Sequence, residues 1–270
     1  MTENTNFANI DVIIPCLNAA ETLSRAVQSA LAQAQLGRIW LINDGSTDET
    51  GELLNQWAAQ FPDKIAAIHL PQNQGVAAAR NLGALLSNAE FVAFLDADDA
   101  YENGALSAAA AVFHFQPETL LVRLALKPVN LAARYAAHPN FNAAWHTMQM
   151  TCGGNVVFHR AFFLACGGFP TDELFRQFGG EDGALGIATT KITKVATLFD
   201  DAGVLHFCRN GMHAERLLDA MLFNKQDSRI TPEKLAQANA VTARIIAQIS
   251  ALRGGLNSRR FGIQPLKIEY

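Results

Sequence analysis

The chain has 270 residues, 50% of them hydrophobic and 17% charged, which suits one large α/β domain or two small ones of ordinary globular composition. A chain of this size removes roughly 75% of its unfolded surface from water, so its core needs no disulfide or metal staple. Lys and Arg number 21 against 25 Asp and Glu, and the net charge of −4 speaks against broad nucleic-acid binding, which requires a basic surface facing phosphates.

No run approaches the ~20 uninterrupted apolar residues of a membrane span, and the polar residues 1–9 lack signal-peptide character. Cys16, Cys152, Cys166 and Cys208 include no CxxC pair. They read as reduced thiols of a cytoplasmic protein rather than as zinc ligands or a disulfide framework.

In chain order, residues 10–15 form a β-branched strand and residues 21–33 a helical pattern. A second strand is expected at 38–43, a helix at 48–60, a third strand at 65–70, a helix at 76–87 and an apolar strand at 91–95. Strands without polar alternation, separated by helices, predict a parallel sheet covered on both faces. Residues 119–126 read as one further strand, and 156–158 and 194–199 as two more, whereas 127–150 carries no clear pattern. From about residue 212 the chain is helical. Thr231 and Pro232 mark a strong helix start, Ala238, Val241, Ile245, Ile249 and Leu252 follow at helical spacing, and Gly254 and Gly255 are expected to stop the helix.

In such sheets ligands bind beyond the carboxyl ends of the strands. Those ends carry Pro15-Cys16-Leu17-Asn18, Asn43-Asp44-Gly45-Ser46-Thr47-Asp48, Pro71 to Gly75 with Arg80 on the following helix, and Asp96-Ala97-Asp98-Asp99. Asp96, Asp98 and Asp99 repel one another unless a cation relieves them, and oxygen-only ligands suit Mg²⁺ or Mn²⁺ with positions left open for phosphates. Asp48 reads as a helix cap. Asp44 is placed to accept from a nucleobase or ribose, and Arg80 offers a guanidinium fork to a base or phosphate. Glu181 and Asp182, after Gly179-Gly180, read either as an answer to a helix macrodipole or as a general base. His206 reads as a structural histidine or a metal ligand.

Taken together, Pro15…Asn18, Asn-Asp-Gly-Ser-Thr-Asp, Asn73-Gln74-Gly75…Ala79-Arg80-Asn81 and Asp-Ala-Asp-Asp resemble the inverting family-2 glycosyltransferases over about residues 10–210. Gly153-Gly154-Asn155, Gly167-Gly168-Phe169 and Glu181-Asp182 resemble that family's acceptor half. The resemblance implies a GT-A fold: a Rossmann-like, mostly parallel nucleotide-binding sheet with helices on both faces. It also implies a donor half over about 1–100, an acceptor half over about 101–210 and a C-terminal helical extension over 211–270. It places Pro15, Asn18, Asp44, Gly75, Arg80, Asp96, Ala97 and Asp98 at the nucleotide sugar. Asp98, with Asp99 as the alternative and His206 as an extra ligand, would hold Mn or Mg. Asp182 would be the catalytic base with Glu181 beside it.

The implied partners are a nucleoside-diphosphate sugar, by family habit UDP-linked, and a saccharide or lipid-linked saccharide acceptor, in bacterial cell-surface polysaccharide, glycolipid or glycan synthesis. Leu17 stands where the family often has Tyr, and Asn43 where it often has Asp. An inactive binding module would have lost the metal or base carboxylates, which are all present. A sugar-phosphate nucleotidyltransferase would carry a Gly-rich basic loop near Pro15. The 238–252 stripe is expected to pack on its own domain, the other readings being a dimer seam or the cytoplasmic membrane face. Arg253, Arg259, Arg260 and Phe261 give the tail a basic-aromatic character compatible with the membrane reading.

Overall fold

The computed structural model describes residues 7–225 and 227–257. Its first half alternates as expected: β1 (Ile10–Cys16), α1 (Leu23–Leu31), β2 (Leu36–Asn43), α2 (Thr50–Gln60), β3 (Ile65–His69), α3 (Val76–Leu86) and β4 (Phe91–Phe94). β1 is buried along its whole length because it lies between β2 and β4, parallel to both, with helices above and below. Its alternate residues feed two cores. Ile10, Val12 and Ile14 join α1, and Ile13 joins the face covered by α3. The one charged residue in this strand, Asp11, is satisfied inside the sheet by the Arg38 backbone N–H (2.9 Å), the Trp40 indole N–H (2.9 Å) and the Ser87 hydroxyl (2.7 Å).

The second half continues with β5 (Ala100–Tyr101), α4 (Ala105–Phe115), β6 (Leu121–Leu124), β7 (Leu126–Val129), α5 (Ala133–Ala136), α6 (Phe141–Thr151), β8 (Val156–His159), α7 (Arg160–Ala165), α8 (Glu173–Phe178), α9 (Glu181–Ile192), β9 (Val195–Leu198), β10 (Val204–Phe207), α10 (His213–Phe223) and α11 (Pro232–Asn257). The main sheet has seven strands in the order β3-β2-β1-β4-β8-β6-β9, and a second sheet has three in the order β5-β10-β7. Only β8 breaks the parallel run, pairing antiparallel with both β4 and β6. The order reverses at β1 and β4, so the crevice beyond their carboxyl ends is the switch point at which such sheets bind ligands.

The single strand expected over residues 119–126 is two strands in two sheets. The chain leaves the main sheet at Ala125, whose carbonyl accepts the Val204 N–H of the small sheet at 2.8 Å. Leu124, Ala125 and Leu126 are all buried, so hydropathy carries no mark of the change. The 127–150 stretch, unreadable from pattern, supplies β7, α5 and α6.

Val241, Ile245 and Ile249 of α11 are buried in one core with Ala184, Leu185 and Ala188 of α9. Arg244 forks onto Asp172 at 3.1 and 2.8 Å. The stripe is therefore used within the chain, which removes it as a dimer seam or membrane face; Leu252 falls outside it, 47% exposed. The helix runs through Gly254 and Gly255 to Asn257. A glycine lowers helix propensity by about 1 kcal/mol but does not impose a stop. The Arg253 side chain and residues 259–261 lie outside the described part. Among the described residues, no helix is long and apolar enough to cross a membrane.

Candidate active site

The loops beyond β1, β2 and β4 are tied to one another by their own polar side chains. Asn18, at φ +48°, donates its N–H to Ser46 Oγ (3.0 Å) and accepts the Thr47 N–H (2.9 Å). Asp48 is not the N-cap of α2, a position taken by Glu49; one residue before it, Asp48 accepts the Thr50 N–H (3.0 Å) and also the Ala20 N–H (3.3 Å), tying this loop to the one after β1. Asn43 accepts the Ser46 N–H at 2.9 Å, which suffices to close the turn without the family's acid. Gly75 takes φ +94° at the start of α3, a conformation open to glycine without strain. Asp44 braces that turn, accepting the Gln74 and Gly75 N–H groups at 2.7 and 2.9 Å.

These loops border a cavity of about 730 Å³. Pro15, Asn18, Gly75, Arg80, Asp96, Ala97, Asp98, Glu181, Asp182 and His206 all line it. Asp44 and Asp99 are not in its wall: Asp44 stands behind the Gly75 turn, and Asp99 behind His206.

Three neighbouring aspartates thus part in three directions. Asp96 pairs with the Arg80 guanidinium at 2.5 Å, and Asp98 with Arg209 at 2.9 Å. Asp99, fully buried, accepts from His206 Nδ1 (2.8 Å) and the Phe207 N–H (3.1 Å). Burial pushes the Asp99 carboxyl up, against the pull of His206. Burial would lower the imidazole, but the Asp99 bond and the charges of Asp99, Asp96 and Asp98 together outweigh it and hold His206 above its ordinary range. Since Nδ1 is taken by Asp99, Nε2 is the nitrogen left over. It is buried, without a hydrogen-bond partner, in a side chain that lines the cavity. Burial and the neighbouring Asp96 also raise Asp98, with Arg209 opposing.

Arg80 joins the two sides of the site. Its guanidinium, buried over the Phe169 ring, reaches Asp96 from one side and Glu181 (3.3 Å) from the other. Burial alone would depress the arginine; Asp96, Glu181 and Asp182 raise it instead, so it stays charged. Gly153 and Gly154 admit this arrangement. A Cβ at Gly153 would stand 2.7 Å from Arg80, and one at Gly154 2.8 Å from Asp96. Asp182, in the first turn of α9 and half-buried, accepts the Gly183 N–H (2.7 Å) and the Gly153 N–H (3.1 Å).

Burial, and next to it Asp182, push the Glu181 carboxyl to about 7, with Arg80 pulling the other way. Because native Glu181 holds its proton to higher pH than the unfolded chain does, it weakens the fold as pH rises from about 4.5 to about 7, and its effect is constant above that. Glu181→Gln is therefore expected to gain stability relative to the parent across this window, on the order of 2 kcal/mol by pH 8. Urea unfolding at pH 5, 6.5 and 8 measures it; an equal difference at all three values would refute the assignment.

Several cavity residues escaped the sequence reading. Arg209 lies just beyond β10, where the strand-end rule used for the other loops would have found it. Arg176, His213 and Arg216 carry no motif, and reach the cavity only because α8 and α10 pack beside it. Met148 and Thr151 show that α6, from the unreadable stretch, is a wall of the site.

A family model described as glycosyl transferase family 2 matches residues 11–166, more than half of the chain. The chain belongs to glycosyl transferase family 2. It is 43% identical over 105 residues to an uncharacterized glycosyltransferase of Nostoc sp., covering 38% of this chain and 32% of that one. It is 36% identical over 98 residues to the succinoglycan biosynthesis protein ExoU of Rhizobium meliloti (36% and 28% covered) and 33% over 127 residues to the minor teichoic acid biosynthesis protein GgaA of Bacillus subtilis (44% and 27%). The matches thus span about a third or less of the length of these curated relatives.

Among solved structures, residues 1–349 of S. aureus TarS in complex with UDP align with a TM-score of 0.60 at 17% identity, over 95% of this chain and 75% of that one. The mannosyltransferase PcManGT of Pyrobaculum calidifontis, in complex with GDP-Man and Mn²⁺, aligns with a TM-score of 0.61 at 20% identity, over 94% and 76%. At such identities the likeness establishes the fold, which for this family-2 glycosyltransferase chain is GT-A, as the strand-end motifs implied.

Proposed function

We propose that the protein moves a sugar from a nucleoside-diphosphate sugar to an acceptor hydroxyl with inversion, assisted by a divalent metal, in the synthesis of a cell-surface polysaccharide or related glycan. The observation that carries this reading is the convergence on one cavity of the Asp96–Asp98 loop, His206 and Asp182, which belong to distant parts of the chain.

The donor would lie across Pro15, Asn18, Gly75, Ala97 and Asp98, with Asp44 acting on the base through the turn it braces. No three His, Cys, Asp or Glu side chains among the described residues are grouped so as to hold a metal unaided. Asp98 and the unpartnered His206 Nε2 are nevertheless the groups that would hold a hard divalent ion such as Mg²⁺ or Mn²⁺ beside the donor. Such an ion supplies neutralisation of the leaving diphosphate. Asp99, the alternative ligand, serves this arrangement by orienting His206. Asp182 takes the proton of the acceptor hydroxyl, whose oxygen forms the new bond to the anomeric carbon as the bond to diphosphate breaks. A single displacement of this kind inverts that carbon. Glu181 keeps Arg80, and through it Asp96, in register with the base.

The division into a donor half over about 1–100, an acceptor half over about 101–210 and an extension over 211–270 belongs to the same proposal, with α10 lending the extension a part in the cavity. So do a UDP-linked donor, a cytoplasmic location and a saccharide or lipid-linked acceptor.

The test is a thermal-shift panel of UDP- and GDP-sugars with and without Mn²⁺. A ligand at about 100 times its Kd adds about 2.7 kcal/mol to the folded state, or a Tm rise of about 5 to 10 °C. Asp98→Ala is expected to abolish the part of the rise that depends on Mn²⁺. Absence of any shift or turnover across the panel would overturn the proposal.

A further inference from the structure

Arg123, in the middle of β6, is a buried cation with no anion in contact. It is 2% exposed, and among the described residues no carboxylate lies within salt-bridge distance of it. A single nitrogen, Nη1, donates to two carbonyls at the end of α6, those of Cys152 (2.9 Å) and Gln149 (3.4 Å), while Nε has no partner. Gly186 of α9 leaves the guanidinium its room, since a Cβ there would stand 3.0 Å from Nη2. Burial pulls the arginine down to about 10, with Cys152 and Asp182 opposing, so it is charged at neutral pH. Burial pushes the Cys152 thiol up, and at neutral pH it carries no charge. Of the two groups that oppose burial, only Asp182 is then an anion.

Capping the last carbonyls of a helix asks only for a donor, and an unpaired charge is costly to bury. The Cys152 carbonyl and the Gly153 N–H belong to one trans peptide group and point in opposite directions. The carbonyl accepts from Arg123 at 2.9 Å, and the N–H donates to Asp182 Oδ2 at 3.1 Å. A cation on the carbonyl polarises the peptide and makes its N–H a stronger donor. Asp182 Oδ1 accepts the Gly183 N–H at 2.7 Å. The carboxylate is therefore held at both oxygens, one by its own helix and the other by a relay that starts at Arg123.

We propose that Arg123 is a positioning residue, which through the Cys152–Gly153 peptide fixes the Asp182 carboxylate in the orientation in which it takes the acceptor proton. Arg123 itself is not among the residues that line the cavity, and it acts only through this peptide. The inference rests on the glycosyl-transfer reading above, with Asp182 as the base, and adds to it a residue that no motif marks.

Two measurements on the full chain test it: amide hydrogen exchange by NMR, and nucleotide release from the UDP- or GDP-sugar that the parent turns over with Mn²⁺. Arg123→Met is expected to lower kcat about ten- to a hundred-fold, the cost of misplacing a reacting group, with the donor KM within about two-fold. Protection of the Gly153 N–H, taken relative to core amides such as that of Ile13, should fall at least about ten-fold, as for a lost hydrogen bond to a charged group. Arg123→Lys should recover most of both, because one nitrogen makes both carbonyl bonds and an ammonium can stand in its place. Arg123→Gln, which is neutral and smaller, should behave as Arg123→Met and carries the comparison if that variant does not fold. Unchanged kcat or unchanged relative protection of Gly153 in a folded Arg123→Met or Arg123→Gln protein would leave Arg123 as a cap of α6 alone and overturn the proposal. An Arg123→Lys protein no more active than these would overturn it as well. Failure of the glycosyl-transfer reading would instead appear as a parent protein that turns over no nucleotide sugar.

Discussion

Asp182→Asn is expected to lower the rate of sugar transfer by about a hundred- to ten-thousand-fold, the range over which a positioned general base contributes, while nucleotide-sugar affinity stays within about two-fold. The amide oxygen can still accept the Gly153 N–H, now made at 3.1 Å, so the loop that faces Arg80 and Asp96 is kept. What the amide loses is the capacity to take a proton. Glu181 competes for the role, because a carboxyl pushed to about 7 is well matched in acidity to neutral-pH base catalysis. We propose Asp182 instead because Glu181 is buried and engaged by Arg80 at 3.3 Å, whereas Asp182 is half-buried in the cavity wall. Steady-state rates and calorimetric donor affinities for Asp182→Asn and Glu181→Gln separate the two. A Glu181→Gln enzyme that loses transfer at full donor affinity, beside an active Asp182→Asn, would reassign the base.

Arg80→Met should cost about 3 kcal/mol of stability at pH 8, the loss typical of removing one partner from a buried ion pair. The side chains of Arg80, Asp96 and Glu181 are 5, 27 and 9% exposed, so the penalty falls mainly on Glu181, and Asp96 is partly relieved by water. The cost should shrink as pH falls toward 5.5. Without its cation Glu181 takes up a proton, and a neutral carboxyl is far cheaper to bury than a carboxylate. Urea unfolding at the two pH values measures the difference; a pH-independent cost would mean that lost packing of the guanidinium against Phe169, rather than lost charge, dominates. Donor affinity should fall as well, because Asp96 is released from the position in which Arg80 holds it.

The parts of this site that were legible in the sequence are those fixed by local order. Pro15 stands at the end of an apolar strand and Asn18, Asp44, Gly75 and Asp96–Asp98 each follow one, and a parallel sheet with right-handed crossovers must bring such ends to one rim. Hydropathy told that residues 156–158 were buried, but not that β8 runs antiparallel, since a two-residue period is the same in either direction. It missed the break at Ala125 for a related reason, that both strands around it are buried.

Long-range geometry decided the rest. Sequence placed Asp96, Asp98 and Asp99 together as one acidic cluster; the fold turns them toward Arg80, Arg209 and His206. Which carboxylate faces the cavity and which braces a histidine depends on β10 lying beside β5, a pairing that hydropathy does not encode. Arg209 and the α6 and α10 walls are likewise products of how the second half packs back on the first. The sequence by itself determined that an acidic loop closes a buried strand and that a carboxylate pair opens a later helix. Only the tertiary structure decided that they share one cavity, because the Arg80 bridge between Asp96 and Glu181 exists only once α3, β4 and α9 have met.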